Sequence, residues 1–304
     1  MNDVIVSVVI PAYNAVPFIE RTLDTVRAQT FEAYETIVVD DGSTDATPEV
    51  VQAYFERHGM NGRLLRQKNG GQGAARNTGM RAARGPYVAL LDSDDLWYPE
   101  KLAAVMAEFD RRPDTDLICH DERITRQGRV VRVSRRRLPR GNVYDALLFH
   151  GNLLSPSATV VRRDGALAVG GFDERREYLT VEDYDFWMRF SRVGRIRFLA
   201  RVLGEYVLRE HSTSRDIVFH HAALEGMLRE HFASYLDAHA GLAVRLRVRR
   251  RLAQIYRSAA RQLMAYGERP DEQQVFVTRM LRTYPFEIRN LAVAGLWMMG
   301  GSRP

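Results

Sequence analysis

The chain has 304 residues, 45% of them hydrophobic and 27% charged, a globular composition that excludes collagen-like, low-complexity and wholly disordered classes. At roughly 100–200 residues per domain, this length holds one large domain with an appendage, or two unequal domains. The 44 basic residues outnumber 38 acidic ones, and only Lys68 and Lys101 are lysines, so arginine and its planar fork of donors supply nearly all the positive charge.

Cys119 is the single cysteine, which excludes an intrachain disulfide and a cysteine-based zinc site. Its apolar run, Asp116-Leu117-Ile118-Cys119, predicts a buried, inert thiol. The first residues lack signal-peptide character, and no run reaches the ~20 apolar residues of a membrane span. A cytoplasmic protein is expected, or one held peripherally on the inner face of the plasma membrane.

Val6-Ser7-Val8-Val9-Ile10 reads as a buried strand stopped by Pro11. Phe18, Ile19, Leu23 and Val26 recur at helical spacing through Gln29. Thr36 to Val39 is a second strand, followed by Asp40-Asp41-Gly42-Ser43-Thr44-Asp45, where Asp45 or Ser43 can cap a helix running to about Arg57. Leu64-Leu65 marks a third strand, Ala74 to Ala83 a third helix, and Tyr87 to Leu91 a fourth strand ending in Asp92-Ser93-Asp94-Asp95. Continuous apolar strands alternating with helices predict an α/β fold whose central sheet is mostly parallel and flanked by helices.

Asp116 to Ile124 predicts a fifth strand. Arg126 to Arg140 carries seven arginines and no acid, and reads as a mobile loop. Ser157 to Val161 is strand-like, Val181 to Val193 helical, and Ile196 to Leu208 strand again. From Asp216 the composition turns to Ala, Leu, Arg and His at helical spacing, with room for four helices. The expected division is a catalytic domain over 1–213 (a nucleotide half, 1–115, and an acceptor and base half, 116–213) and a helical region over 214–304.

Ligands of parallel α/β sheets bind beyond the carboxyl ends of the strands. The three polar clusters, Pro11 to Asn14, Asp40 to Asp45 and Asp92 to Asp95, all fall there. Carboxylates at Asp92 and Asp94 can converge on one hard divalent cation, and Mg²⁺ sites keep positions for substrate phosphates. Asp40 or Asp41 can accept from a base N–H or a ribose hydroxyl, and Tyr13 offers a ring face. His220-His221 lack partner ligands and read as non-metal.

The motifs Ser7-Val8-Val9-Ile10-Pro11-Ala12-Tyr13-Asn14, Val38-Val39-Asp40-Asp41-Gly42-Ser43, Gly73-Ala74-Ala75-Arg76-Asn77-Thr78-Gly79 and Leu90-Leu91-Asp92-Ser93-Asp94-Asp95 occur in that order. With Val181-Glu182-Asp183-Tyr184-Asp185-Phe186-Trp187 and His211, this closely resembles the family 2 glycosyltransferases of the GT-A fold. The resemblance implies an inverting, metal-dependent transfer of a sugar from a nucleotide-diphosphate donor, a UDP-sugar being favoured. The acceptor would be a hydroxyl in polysaccharide, glycolipid or glycoprotein assembly: a glycan, a lipid-linked molecule or a protein.

By that resemblance Pro11 and Tyr13 would wall the nucleobase, Asp41 would accept its imide N–H with Asp40 nearby, and Arg76 and Asn77 would lie beside the nucleotide. Asp92 and Asp94 match the family's DXD motif, binding nucleotide and Mn²⁺ or Mg²⁺, with His211 approaching the diphosphate or metal. Asp183 would be the catalytic base, with Glu182, Asp95 and Trp97 as secondary or acceptor-side residues. The alternatives are an inactive sugar-nucleotide-binding scaffold and a nucleotidyltransferase of similar fold. No nucleic-acid partner is expected. Arg126–Arg140 and the C-terminal helices are candidates for peripheral membrane contact, and a homo-oligomer stays open.

Overall fold

The computed structural model describes residues 3–137, 141–209, 216–267 and 269–300. The chain forms two compact units, one from residues 1–147 and 152–210, the other from residues 148–151 and 211–304.

In the first unit, β1 (Val6–Ala12), β2 (Tyr34–Asp40), β3 (Gly62–Arg66) and β4 (Tyr87–Leu90) are parallel. Every residue of β1 is buried, as continuous Val and Ile side chains require when helices cover both faces of a sheet. Between the strands lie α1 (Ile19–Arg27), α2 (Thr47–His58) and α3 (Gln72–Ala82). α1 buries Ile19, Thr22, Leu23 and Val26, one stripe at spacings of three and four. Gly59, at φ +57, closes α2 in the left-handed conformation that favours glycine.

Beyond β4 the sheet turns mixed. Its order is β3-β2-β1-β4-β8-β6-β9-β5, with β5 (Leu96–Trp97), β6 (Leu117–Arg126), β8 (Thr159–Arg162) and β9 (Ile196–Leu208). β8 is antiparallel to both β4 and β6, whereas β6 and β9 are parallel. Cys119 lies on β6 with no exposed surface, and burial pushes its thiol up. α4 (Lys101–Arg111), α5 (Val143–His150), α6 (Arg163–Ala168) and α7 (Glu182–Phe190) complete the helices up to residue 210. The last turn of α5 clusters with the second unit.

The segment expected to be a mobile arginine loop is instead a hairpin. β7 (Arg129–Ser134) pairs antiparallel with β6 across Gln127 and Gly128, both at positive φ as a two-residue hairpin turn requires. Arg136 is largely buried: one guanidinium nitrogen donates to Glu122 at 2.6 Å and another to the Leu153 carbonyl at 2.7 Å. That arginine is spent on the fold. Arg140 lies outside the described residues.

The second unit packs α8 (Ile217–Ala238), α9 (Leu242–Tyr266), α10 (Pro270–Thr283) and α11 (Ile288–Gly300). Asp216 caps α8 by accepting from the Phe219 N–H. Met227, Leu228, Tyr256, Leu263, Phe276 and Met280 are buried. Glu225 gathers the Tyr256 hydroxyl at 2.7 Å, Arg229 at 2.8 Å and Arg279 at 3.1 Å. None of the helices is long and apolar enough to cross a membrane, among the described residues.

One close approach fixes the floor of the sheet edge. A Cβ at Gly79 of α3 would stand 2.3 Å from Val9 Cγ1 of β1. Gly79→Ala is therefore expected to cost about 1–3 kcal/mol as the helix is levered off the strand. Urea unfolding checks this, and an unchanged midpoint would refute it.

Candidate active site

Three loops meet at the carboxyl ends of β1, β2 and β4. Asn14 follows β1 at φ +48, which asparagine tolerates, and its side-chain oxygen accepts from the backbone N–H of Thr44 at 2.8 Å. The first loop is thereby tied to the second. Gly42, at φ +75, comes so close to Asn69 that a Cβ would lie 2.9 Å from its backbone nitrogen. Asp41 accepts from Gln67 Nε2 at 2.7 Å and from the N–H groups of Gly70 and Gly71 at 2.9 and 2.8 Å. The loop ahead of α3 is thus stapled to β2. Tyr13 is 51% exposed and offers a ring face, whereas Pro11 is buried within β1. Asp40 is buried, with one oxygen accepting from the Ser43 N–H and the other lacking a hydrogen-bond partner.

The acidic loop after β4 is built around one buried guanidinium. The Arg76 side chain, on α3, is 2% exposed. It donates to Asp92 Oδ1 at 2.7 Å, to Glu182 Oε1 at 2.8 Å and to Gln72 at 3.0 Å. Asp94 accepts from Arg209 Nε at 2.7 Å, and that guanidinium lies 3.2 Å from the centroid of the Phe18 ring. Burial and the neighbouring Asp92 charge raise Asp94 above the ordinary carboxylate range, against the pull of Arg209.

Glu182 and Asp183 begin α7, where negative charge is favoured at a helix N-terminus. Burial pushes Glu182 up to about 8, with Arg76 opposing the shift and Asp183 adding to it. Asp183 is half-buried. Its Oδ2 accepts from Asn152 Nδ2 at 3.1 Å and its Oδ1 from the Tyr184 N–H at 2.7 Å. Burial raises it, Arg76 and the two N–H donors pull it back, and the Asp92 charge pushes it up again. Three acids of raised proton affinity, Asp94, Glu182 and Asp183, thus come from the loop after β4 and the start of α7.

Several expected contacts are redirected. Asn77 is 3% exposed; its amide brackets Phe172, donating to the carbonyl and accepting from the N–H, each at 2.8 Å. It positions the chain before α7. Arg76 too is sealed from solvent and acts on carboxylates of the protein. Trp97, expected on the acceptor side, is 3% exposed, donates to the Ser157 carbonyl and carries the Lys101 Nζ 3.3 Å from its ring centroid. It is a core residue. Asp95, 1% exposed, accepts from the Ser157 hydroxyl at 2.6 Å and the Val207 N–H at 2.9 Å, so it joins β4 to β9. His211 lies outside the described residues.

Sequence reasoning passed over Asn152, Arg209 and Ser157. The last also receives the Asp92 N–H on its hydroxyl at 3.1 Å. Arg209 had a faint signal, two residues before His211, whereas Asn152 and Ser157 had none.

No group of three or more His, Cys, Asp or Glu residues is placed to hold a metal ion among the described residues. The pair Asp92 and Asp94 nevertheless fits a hard divalent cation. Both are partly exposed carboxylates, each has one oxygen held by an arginine, and a cation would relieve the repulsion that raises Asp94.

A parallel α/β half with paired acids at its carboxyl edge, extended by a mixed sheet that carries a further acidic pair, defines a GT-A glycosyltransferase. The model of glycosyl transferase family 2 matches residues 7–167, and the chain belongs to that family. It is 33% identical over 217 residues to the amylovoran biosynthesis glycosyltransferase AmsB of Erwinia amylovora, covering 68% of this chain and 70% of that protein. It is also 33% identical over 211 residues to an uncharacterized glycosyltransferase of Rickettsia prowazekii, covering 66% of this chain but only 62% of that relative's length. Among solved structures, residues 1–349 of Staphylococcus aureus TarS in complex with UDP-GlcNAc align with TM-score 0.63 at 21% identity, over 97% of this chain and 92% of that one. The mannosyltransferase PcManGT of Pyrobaculum calidifontis, in complex with GDP-Man and Mn²⁺, aligns with TM-score 0.58 at 19% identity, over 97% and 87%.

Removing the guanidinium strands two carboxylates. Arg76→Met is expected to cost about 3–5 kcal/mol, and Arg76→Lys to recover only part, since one ammonium cannot reproduce the fork. Equal unfolding midpoints for Arg76→Lys and the parent chain would show that the fork is unnecessary.

Proposed function

We propose that this glycosyltransferase moves a sugar from a nucleoside-diphosphate sugar, a UDP-sugar being the favoured donor, to a hydroxyl of a glycan, lipid-linked or protein acceptor, inverting the anomeric centre. The observation that carries this reading is the Arg76 bridge. It joins Asp92, at the donor edge of the sheet, to Glu182, the immediate neighbour of Asp183. Donor site and base are thereby held to a single side chain. The complexes of TarS with UDP-GlcNAc and of PcManGT with GDP-Man support a nucleotide-sugar donor, and AmsB supports a role in polysaccharide assembly.

Tyr13 and the Asp40-Asp41 loop receive the nucleoside. Tyr13 supplies a stacking face, and Asp41, buried and held by three N–H groups, fixes the loop against which the base would lie. Asp92 and Asp94 would hold a Mg²⁺ or Mn²⁺ ion, which when bound neutralises charge on the departing diphosphate.

Asp183 takes the proton of the acceptor hydroxyl as that oxygen bonds to the anomeric carbon. The bond from this carbon to the diphosphate oxygen breaks on the opposite side, and its electron pair leaves with the diphosphate. Glu182 is tied to Arg76 and is not free to serve as base. Asn152 and the Tyr184 N–H fix the orientation of the Asp183 carboxylate. Its raised proton affinity makes it a stronger base than an exposed aspartate, and such a base is worth roughly 10²–10⁴ in rate.

Asp183→Asn is expected to lower transfer by about 10²–10⁴ while nucleotide binding survives. A Mn²⁺-supplemented screen of nucleotide sugars, followed by titration of the variant, checks both halves. Transfer at the parent rate would place the base elsewhere. Asn152→Ala removes a donor that favours ionised Asp183, so its proton affinity rises further. Because the base acts when ionised, the acid limb of the kcat/KM profile should move to higher pH, with the plateau above it retained. An acid limb that stays in place would dissociate Asn152 from the base.

A further inference from the structure

The surplus of positive charge belongs to one unit. Residues 211–304 contain 14 arginines and eight acids, and the uncharged stretch 148–151 adds nothing, so the second unit carries the whole formal charge of +6. The first unit, with 30 basic and 30 acidic residues, is balanced. Within the second unit the charge is concentrated further, because α9 has seven arginines and no acid along its 25 residues.

The same unit exposes an apolar helix face. α11 buries Asn290, Val293 and Ala294 on one side. Its other side carries Ile288 at 79% exposure, Leu291 at 55%, Leu296 at 60% and Met298 at 64%. At about 100° per residue these positions, with Ala292, cover an arc of roughly 160° that contains no charged side chain. Phe286, 84% exposed, extends the face just ahead of the helix.

Arg289, next round the helix from Leu296 and itself exposed, edges this face, and the arginines of α9 lie near its start. Arg249 donates to the Thr283 carbonyl at 2.8 Å, and Arg250 and Arg257 reach Glu287 at 3.4 and 3.1 Å, which places the α9 side chains beside the start of α11. Arg282 and Arg289 are exposed and have no acidic partner among the described residues. Apolar side chains edged by exposed arginine, on a unit that carries the chain's whole positive charge, suit a surface that is apolar inside and anionic outside. A bilayer interface has both properties, and α11 is too short to cross one.

We propose that the exposed face of α11, with Arg289 at its edge and the positive charge of its unit, docks on an anionic lipid bilayer, the helix lying in the headgroup plane. This surface is independent of the sugar-transfer reading, and its test does not use turnover. The full-length chain is sedimented with phosphatidylcholine vesicles, with and without one third phosphatidylglycerol, at about 0.1 M and about 0.5 M salt. Binding to the anionic vesicles should exceed binding to neutral ones tenfold or more and weaken at the higher salt. The double variant Arg282→Gln, Arg289→Gln removes two surface charges and should weaken anionic binding roughly tenfold or more. Ile288→Asp with Leu296→Asp should abolish it while the helical circular dichroism is kept.

Equal binding to both vesicle types, or an arginine variant that binds like the parent, would overturn the proposal. So would self-association that the aspartate variant dissolves, since the face would then belong to a second copy of the chain.

Discussion

The acidic centre depends on a guanidinium that water cannot reach. A buried arginine persists only when its charge is paired and its donors are used, and Arg76 achieves this with two carboxylates and an amide from three segments of chain. The pairing acts in both directions. Asp92 and Glu182 would repel one another without it, and neither would have reason to keep its rotamer. Because Arg76 belongs to α3, and α3 is seated against β1 through Gly79, the loop after β4 and the start of α7 share one rigid reference. Placement at an active site demands this kind of support, since small displacements of a base cost large factors in rate.

Much of this was legible in the residues, for identifiable reasons. β1, β2 and β4 are buried almost throughout and so read as apolar runs rich in Val, Ile and Leu, while β3 shows only Leu64-Leu65; the strand ends carry Pro, Gly and Asp, which punctuate a chain. The acids were found because they sit at those ends. What sequence could not supply is direction. Asn77 and Trp97 lie beside the right motifs but point into the protein, and a motif does not say which way its side chains face. Asp95 follows two partly exposed acids and is itself sealed. Asn152 and Ser157 lie in stretches without periodicity, so only the folded chain brings them to Asp183 and Asp92.

Arginine abundance gave a different kind of error. A run rich in one charge reads as a loop, whereas Arg and Val interleaved in Arg129–Ser134 form a strand and Arg136 closes over Glu122. Glu287 and Glu225 likewise anchor arginines of α9, α8 and α10. Many guanidinium groups of this chain are tethers between elements, where their length and fork let one side chain satisfy distant acceptors. The remainder, on the second unit, is what a partner would sense.

The even balance of charge in the first unit has a kinetic consequence. A nucleoside-diphosphate sugar is an anion, and a net positive charge on the unit that binds it would add long-range attraction. Thirty charges of each sign leave almost none. Attraction of an anionic nucleotide to the first unit therefore depends on how its charges are arranged and on short-range contacts, not on a net charge. The arginine-rich unit, by contrast, projects a field that any anionic surface would feel a Debye length away, and that salt would quench.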